Sequence, residues 1–125
     1  MRVAVIGSRE IPDFVDVDYV IQYIPLNCTS IISGGAVGID TLAREAAKKL
    51  DLPIREILPD YQKYGRRAPL IRNEQIVEEA DLVVAIWDGK SHGTAYSLDL
   101  CIRRHIPFRI YPIKHPLDSL PKIPL

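Results

Sequence analysis

The sequence predicts an α/β fold, a Rossmann-like doubly wound parallel sheet with helices on both faces. Two observations carry that prediction. Five β-branched runs are separated by helical patterns, the signature of a sheet built from strand–helix units. The run Leu82-Val83-Val84-Ala85-Ile86 is apolar at every position, as a central parallel strand covered on both sides must be. The 125 residues make one domain, long enough to bury a core without disulfides or metals.

The elements follow in order. Arg2–Ile6 reads as a first strand, closed by Gly7. Asp13–Ile24 reads as a helix with Phe14, Val17, Val20, Ile21 and Ile24 on one stripe, ended by Pro25 and Asn27. Cys28–Ser33 is the second strand and runs straight into Gly34-Gly35. Gly38–Leu50 is a helix in which Ile39, Leu42, Ala43, Ala46 and Leu50 recur at helical spacing, with Lys48 and Lys49 at the negative end of its dipole. Pro53–Leu58 is the third strand, and Pro59–Ala68 a polar stretch with Tyr61, Tyr64, Gly65, Arg66 and Arg67. Pro69–Ala80 is a helix opening on a proline, where the missing amide is no loss. Asp81–Trp87 is the fourth strand, Gly93–His105 the last helix and Pro107–Pro112 the fifth strand. The domain is therefore expected over residues 1–112, followed by an irregular tail, 113–125, with three prolines.

Composition narrows the function classes. Lys and Arg number 16, as do Asp and Glu, so the basic excess of a dedicated duplex-DNA or anionic-membrane binder is absent, while a local basic pocket stays open. Cys28 and Cys101 fit no metal spacing and are too few for a disulfide framework; they read as buried thiols in a reducing compartment. No apolar run reaches the ~18 residues of a membrane span, and the Met1–Ile6 stretch reads as a strand rather than a signal peptide. The expectation is a cytoplasmic protein without a membrane partner.

Right-handed crossovers put the strand-to-helix loops on one edge of the sheet, where ligands of open α/β sheets bind. That edge collects Gly7-Ser8-Arg9, then Gly34-Gly35-Ala36-Val37-Gly38-Ile39-Asp40, then Arg72-Asn73, then Asp88-Gly89-Lys90-Ser91-His92-Gly93-Thr94. Glycines let backbone amides approach a ligand, and helix N-termini suit phosphate. Ser8, Ser91 and Thr94 add hydroxyls, and Arg9 or Arg72 offers a planar fork. The coincidence of four loops predicts a phosphate-bearing ligand.

Single residues keep a plainer reading beside the functional one. Gly34-Gly35 also suits a tight turn, Asp40 a helix dipole rather than a ribose hydroxyl, and Arg72 a solvated helix face. Trp87 suits either core packing or a stacking rim; His92 reads as a loop residue, and Tyr61 and Tyr64 as surface cover or stacking platforms. Known catalytic patterns are missing. There is no Gly-x-Ser-x-Gly elbow, Walker pattern or locally supported Cys–His pair. His92, His105 and His115 are too scattered for zinc, so neither a metal nor a required cofactor is expected. Gly7-Ser8-Arg9 does not fit the dinucleotide fingerprint after strand one, which disfavours an NAD-dependent dehydrogenase.

The segments Val5-Ile6-Gly7-Ser8-Arg9, Ser33-Gly34-Gly35-Ala36-Val37-Gly38-Ile39-Asp40, Arg72-Asn73 and Asp88-Gly89-Lys90-Ser91-His92-Gly93-Thr94 together resemble the SLOG superfamily. This is the Rossmann-like group that includes the DNA-processing protein DprA (Smf) and the LOG phosphoribohydrolases, and the likeness is to its small YspA/YpsA-type members. The resemblance implies strand order 3-2-1-4-5, a homodimer or larger assembly, and a site for nucleotides or nucleotide-derived ligands between strands one and four. LOG enzymes cleave a nucleotide's N-glycosidic bond. Arg72 and Gly93-Thr94 match their motif, but Ser97 stands where they carry a glutamate, and serine cannot supply that negative charge. DprA-like members bind single-stranded DNA, for which Arg66, Arg67 and Arg72 with Tyr61 and Tyr64 would form a small groove.

The leading expectation is a small-molecule nucleotide ligand held through its phosphate. Its site would comprise Gly7, Ser8, Arg9, Gly34, Gly35, Ala36, Gly38, Asp40, Arg72, Asn73, Trp87, Asp88, Gly89, Ser91, Gly93 and Thr94. Asp40 and Asp88 are the candidate catalytic residues if the site turns a nucleotide over. The alternatives are phosphoribohydrolase-like hydrolysis and DprA-like binding of single-stranded DNA.

Overall fold

The computed structural model describes residues 1–113. Its strands are β1 (Arg2–Gly7), β2 (Ser30–Ser33), β3 (Ile54–Glu56), β4 (Leu82–Trp87) and β5 (Phe108–Pro112). Its helices are α1 (Val17–Ile21), α2 (Ile39–Lys49), α3 (Tyr61–Tyr64), α4 (Ala68–Glu79) and α5 (His92–Arg104). The strands pair in the order β3-β2-β1-β4-β5, every pair parallel. In register, Val3 lies opposite Ile31 of β2 and Leu82 of β4.

Successive side chains of a strand point to opposite faces, and the two central strands show why both faces had to be apolar. Val3 and Val5 of β1, with Leu82, Val84 and Ile86 of β4, pack against Val20 of α1 and Ile39, Ala43, Ala46 and Ala47 of α2. Ala4, Ile6, Val83 and Ala85 face the other way, onto Ile76 and Val77 of α4 and Leu98, Leu100 and Cys101 of α5. The result is a three-layer α/β/α, Rossmann-like domain, as the alternation of elements predicts. Cys28 and Cys101 are both buried and unpaired. Burial pushes the Cys101 thiol up to about 11, which keeps it protonated and unreactive.

The differences lie at element ends. The helix expected over Asp13–Ile24 is regular only across Val17–Ile21, because the Asp16 carboxylate accepts from the Tyr19 amide and starts the helix there. Tighter turns carry the flanks, with Val15 N donating to Pro12 O, Tyr23 N to Val20 O and Ile24 N to Ile21 O. The strand expected from Cys28 begins at Ser30, since the Cys28 amide is drawn to Pro25 O. The stretch Pro59–Ala68 is more ordered than its polarity suggests. Asp60 caps α3 by accepting from the Lys63 amide, and a 3-10 turn over Gly65–Arg67 leads into α4. Of the expected tail, Ile113 donates its amide to Trp87 O; residues 114–125 lie outside the described part. Among the described residues no helix is long and apolar enough to cross a membrane.

Ile86 is fully buried in β4 and packs on the α1/α2 side. Ile86→Ala should lower the unfolding free energy by about 2–5 kcal/mol, through lost burial plus the cavity left behind. Urea unfolding monitored by circular dichroism checks this, and an unchanged midpoint would contradict the assigned core.

Candidate functional site

β1 and β4 lie side by side, but the chain leaves them in opposite directions, toward β2 and β5. Their following loops therefore part, and a crevice opens at the carboxyl edge. In this structure it is a cavity of about 390 Å³, at the lower end of the ~300–1,000 Å³ range of small-ligand sites. Gly7 lies at the end of β1, the Gly34–Asp40 loop forms one wall, Arg72 and Asn73 of α4 another, and Ser91–Thr94 at the start of α5 a third. All four sequence segments meet at this cavity.

Glycine is demanded at two of these positions. A Cβ on Gly7 would sit 2.1 Å from Ile86 O, so only glycine lets the strand ends close while Ser8 N donates to Ile86 O. Gly38 has φ 79° and ψ −127°, and a Cβ there would lie 2.4 Å from both Ser8 O and Arg9 O. That close turn lets the Ile39 amide donate to Ser8 O and fastens α2 to the β1 loop.

The fully buried Ser8 hydroxyl does not face the cavity. It accepts from the Asp88 amide at 2.9 Å and ties the β1 and β4 loops together. Asp88 Oδ1 in turn accepts from the Lys90 amide at 2.8 Å, the Ser91 amide at 3.0 Å and the Ser91 hydroxyl at 3.3 Å. Those donors, the Lys90 amide first, hold its carboxyl below the ordinary aspartate value. Asp88 is thus an ionised group that shapes the turn before α5 and borders the cavity.

Arg72 is only 7% exposed. Its Nη1 donates to Gly34 O at 2.6 Å and its Nε to Asn73 Oδ1 at 2.9 Å. Burial lowers its pKa, and the charge of Asp40 works against that shift. Asp40 Oδ2 accepts from the Ala36 amide at 3.1 Å. Burial pushes the Asp40 carboxyl upward, opposed by that amide and by the charges of Arg72 and Arg9. A Cβ on Gly34 would lie 2.7 Å from Arg72 Nη1 and 2.9 Å from Asp40 Oδ2. The missing side chain is what lets guanidinium and carboxylate approach the same loop.

These bonds relocate the anion-binding potential. The Gly34–Gly38 loop was expected to offer its amides to phosphate. In the structure Ala36 N is engaged by Asp40 and Ile39 N by Ser8 O, and the loop brings a carboxylate of its own. Further donors lie at the start of α5, where Ser91 makes no side-chain cap and the first-turn amides of His92, Gly93 and Thr94 have no partner within the helix. Exposed Arg9 and buried Arg72 flank the same cavity.

Of the expected site residues, Gly7, Arg9, Gly34, Ala36, Asp40, Arg72, Asn73, Asp88, Ser91, Gly93 and Thr94 line the cavity. Ser8, Gly35, Gly38, Trp87 and Gly89 do not. Gly35 turns at φ 67° beside Leu58 and Glu56, and Gly89 at φ 81° in open solvent. Trp87 packs on the α4/α5 side and donates Nε1 to Ser91 O at 3.1 Å, so it takes the packing role of the two open to it. Sequence reasoning missed Glu10, Val37, Pro69, Leu70 and Ser97 as lining residues and took His92 for a loop residue. Pro69, Leu70 and Ile76 could have been found, since helical spacing puts them on the face of Arg72 and Asn73; Val37 stands within the Gly34–Asp40 segment assigned to this edge, and nothing marked Glu10. Ser97 donates its hydroxyl to Gly93 O at 3.1 Å and stays neutral.

Charge is unevenly used around the molecule. Arg2, Arg44, Lys49, Arg55, Arg103 and Arg104 are ion-paired. Among the described residues, Arg9, Lys48, Lys63, Arg66, Arg67, Arg72, Lys90 and Arg109 form no such pair; of these Arg9 and Arg72 line the cavity, Lys90 sits between its lining residues Asp88 and Ser91, and Arg66 and Arg67 form the turn that leads into α4. Exposed apolar surface gathers there too. Val37 is 65% and Leu70 39% exposed, both on the cavity, and Tyr61, 60% exposed, lies within electrostatic reach of Arg72. Among the described residues no three His, Cys, Asp or Glu side chains are grouped to hold a metal.

The fold and cavity define a Rossmann-like α/β domain with its crevice at the topological switch point. Among solved structures, the chain is similar to DNA processing protein A from Helicobacter pylori, with a TM-score of 0.71 and 22% identity. The match covers 91% of this chain and 66% of that one; the chain thus spans just under two-thirds of the neighbour's length. That protein binds single-stranded DNA, and the likeness establishes a shared fold. No protein-family model matches the sequence, nor does any curated protein.

Asp40 gives a pH signature. Its folded pKa lies above the unfolded value, so its stabilising effect is full below the unfolded pKa and is lost as pH rises through the folded one. Asp40→Asn keeps an acceptor for the Ala36 amide and removes the titration. Its stability relative to wild type should therefore rise as pH increases above the ordinary aspartate value of about 4. Urea melts from that value upward check it, and a pH-independent difference would refute the buried titration.

Proposed function

We propose that this chain binds single-stranded nucleic acid across the carboxyl edge of its sheet, with one nucleotide unit seated in the cavity between β1 and β4. One observation carries the reading: exposed Val37 and Leu70 share the cavity with exposed Arg9, which forms no ion pair, and Arg66, Arg67 and Lys90 lie within a few residues of its lining positions in the chain. Single strands need this combination of a surface for unstacked bases and a cationic track for the backbone. Overall neutrality is compatible with it, because many of the chain's other cations are spent in ion pairs. The start of α5 and Arg9 would receive a phosphate, Arg72 would hold the Gly34 loop in place, and Asp40 would accept from a sugar hydroxyl. The shared fold with a protein that binds single-stranded DNA supports the reading, as does the sequence resemblance to DprA-like members of the SLOG superfamily.

A free nucleotide or nucleotide-derived ligand is the second reading. The walled, small-ligand size of the cavity favours it. N-glycosidic hydrolysis has less support, since neutral Ser97 is turned onto Gly93 O and Asp88 is committed to its own loop.

Fluorescence anisotropy with a labelled single-stranded oligonucleotide, over a range of salt, tests the proposal. Affinity should fall steeply with salt. Replacing both Arg66 and Arg67 by Ala should weaken binding and reduce the log–log salt slope by up to about 1.4, at ~0.7 per phosphate contact. No binding of the oligonucleotide at low salt would overturn it. Binding of 5′-dAMP alone would leave the free-nucleotide reading standing.

A further inference from the structure

We infer that a second nucleotide subsite lies in the groove between the β1 loop and α2, so that a strand leaving the cavity runs over Arg9 toward Ile11 and Leu42. The inference rests on the cavity's taking a nucleotide unit. Beside the cavity lies a second, more open depression formed by Arg9, Glu10, Ile11, Gly38, Thr41 and Leu42. The two share Arg9 and Glu10, so they form one path with Arg9 at the junction.

The chemistry changes along that path. The cavity is mixed, with Arg72, Asp40, Asn73 and Asp88 set among apolar Ile6, Val37, Leu70 and Ile76. Its neighbour has apolar Ile11 and Leu42, both only partly buried against the core. Gly38 contributes backbone without a side chain to the floor, where it packs closely on Ser8 O and Arg9 O. The Thr41 hydroxyl is turned inward, donating to Ala36 O at 3.1 Å. An apolar trough next to an unpaired, exposed arginine suits a base on one side and its linking phosphate on the other. Arg9 also lies within electrostatic reach of Arg72 and Asp40, so a phosphate on it would bridge the two sites. Glu10 on the shared wall disfavours a second phosphate directly there, leaving room for one anion at the junction.

The ligand class is therefore a 5′-phosphorylated dinucleotide or longer strand rather than a mononucleotide. Calorimetric titration with 5′-dAMP and with the 5′-phosphorylated dinucleotide pdAdA tests it. The dinucleotide should bind at least about tenfold tighter, because the second unit is tethered at high effective concentration. Thr41 lies in the groove and not on the cavity. Thr41→Glu should abolish the dinucleotide's gain, read as the ratio of pdAdA to 5′-dAMP affinity in the same variant, so that any effect on the cavity itself cancels. Thr41→Gln, which loses the same hydroxyl without adding charge, should keep most of the gain. If 5′-dAMP binds but pdAdA gains nothing, or the gain survives Thr41→Glu, the second subsite is refuted while the cavity reading stands. If neither ligand binds, both fall.

Discussion

The closeness of β1 and β4 at their carboxyl ends is the constraint on which the functional edge depends. The Gly7 α-carbon is packed so near Ile86 O that no side chain fits. Ser8 then bonds twice across the same junction, through its amide to Ile86 O and through its hydroxyl to the Asp88 amide. Because these strands are where the crossovers reverse direction, clamping them fixes the floor of the crevice and the positions of both flanking loops. Ile39 N on Ser8 O extends the clamp to α2. A ligand at this edge meets a surface set in advance, and little ordering of the protein would be required on binding.

The second layer of organisation is the buried pair Asp40 and Arg72 around Gly34. A charge taken out of water is costly unless hydrogen-bonded and balanced. Arg72 meets that demand with Gly34 O and Asn73, and Asp40 with the Ala36 amide. One consequence is a loop held rigidly open beside the cavity. The other is that the loop before α2 and the first amide of that helix are partly engaged by the protein, Ala36 N by Asp40 and Ile39 N by Ser8 O.

Neutral composition conceals a third feature. Several cations of the helices and strands are neutralised in place, as Arg44 is by Glu56 and Arg55 by Glu79. The arginines of the β1 loop and the 3-10 turn are not. Distribution, rather than the sum, determines what an anionic polymer would meet at this edge.

Much of the architecture was legible in the chain itself. The all-apolar run Leu82–Ile86 marked a strand covered on both faces, and the glycine and arginine segments after strands one, two and four marked one edge, because apolar periodicity and crossover handedness are local or general rules. Helix ends were less legible: a single cap at Asp16 outweighed the longer apolar stripe around it. The inward roles of Ser8, Trp87 and Asp88 were not legible at all, nor was the place of Leu70 and Val37 on the cavity. A hydroxyl or carboxylate reads the same whether it faces a ligand or a neighbouring loop, and the amide it finds lies up to 80 residues away in the chain. The sequence by itself determined the sheet, its layers and which loops share one edge. Only the tertiary structure decided which polar groups at that edge are already satisfied and which remain for a ligand, since long-range hydrogen bonds are made when the loops meet in space.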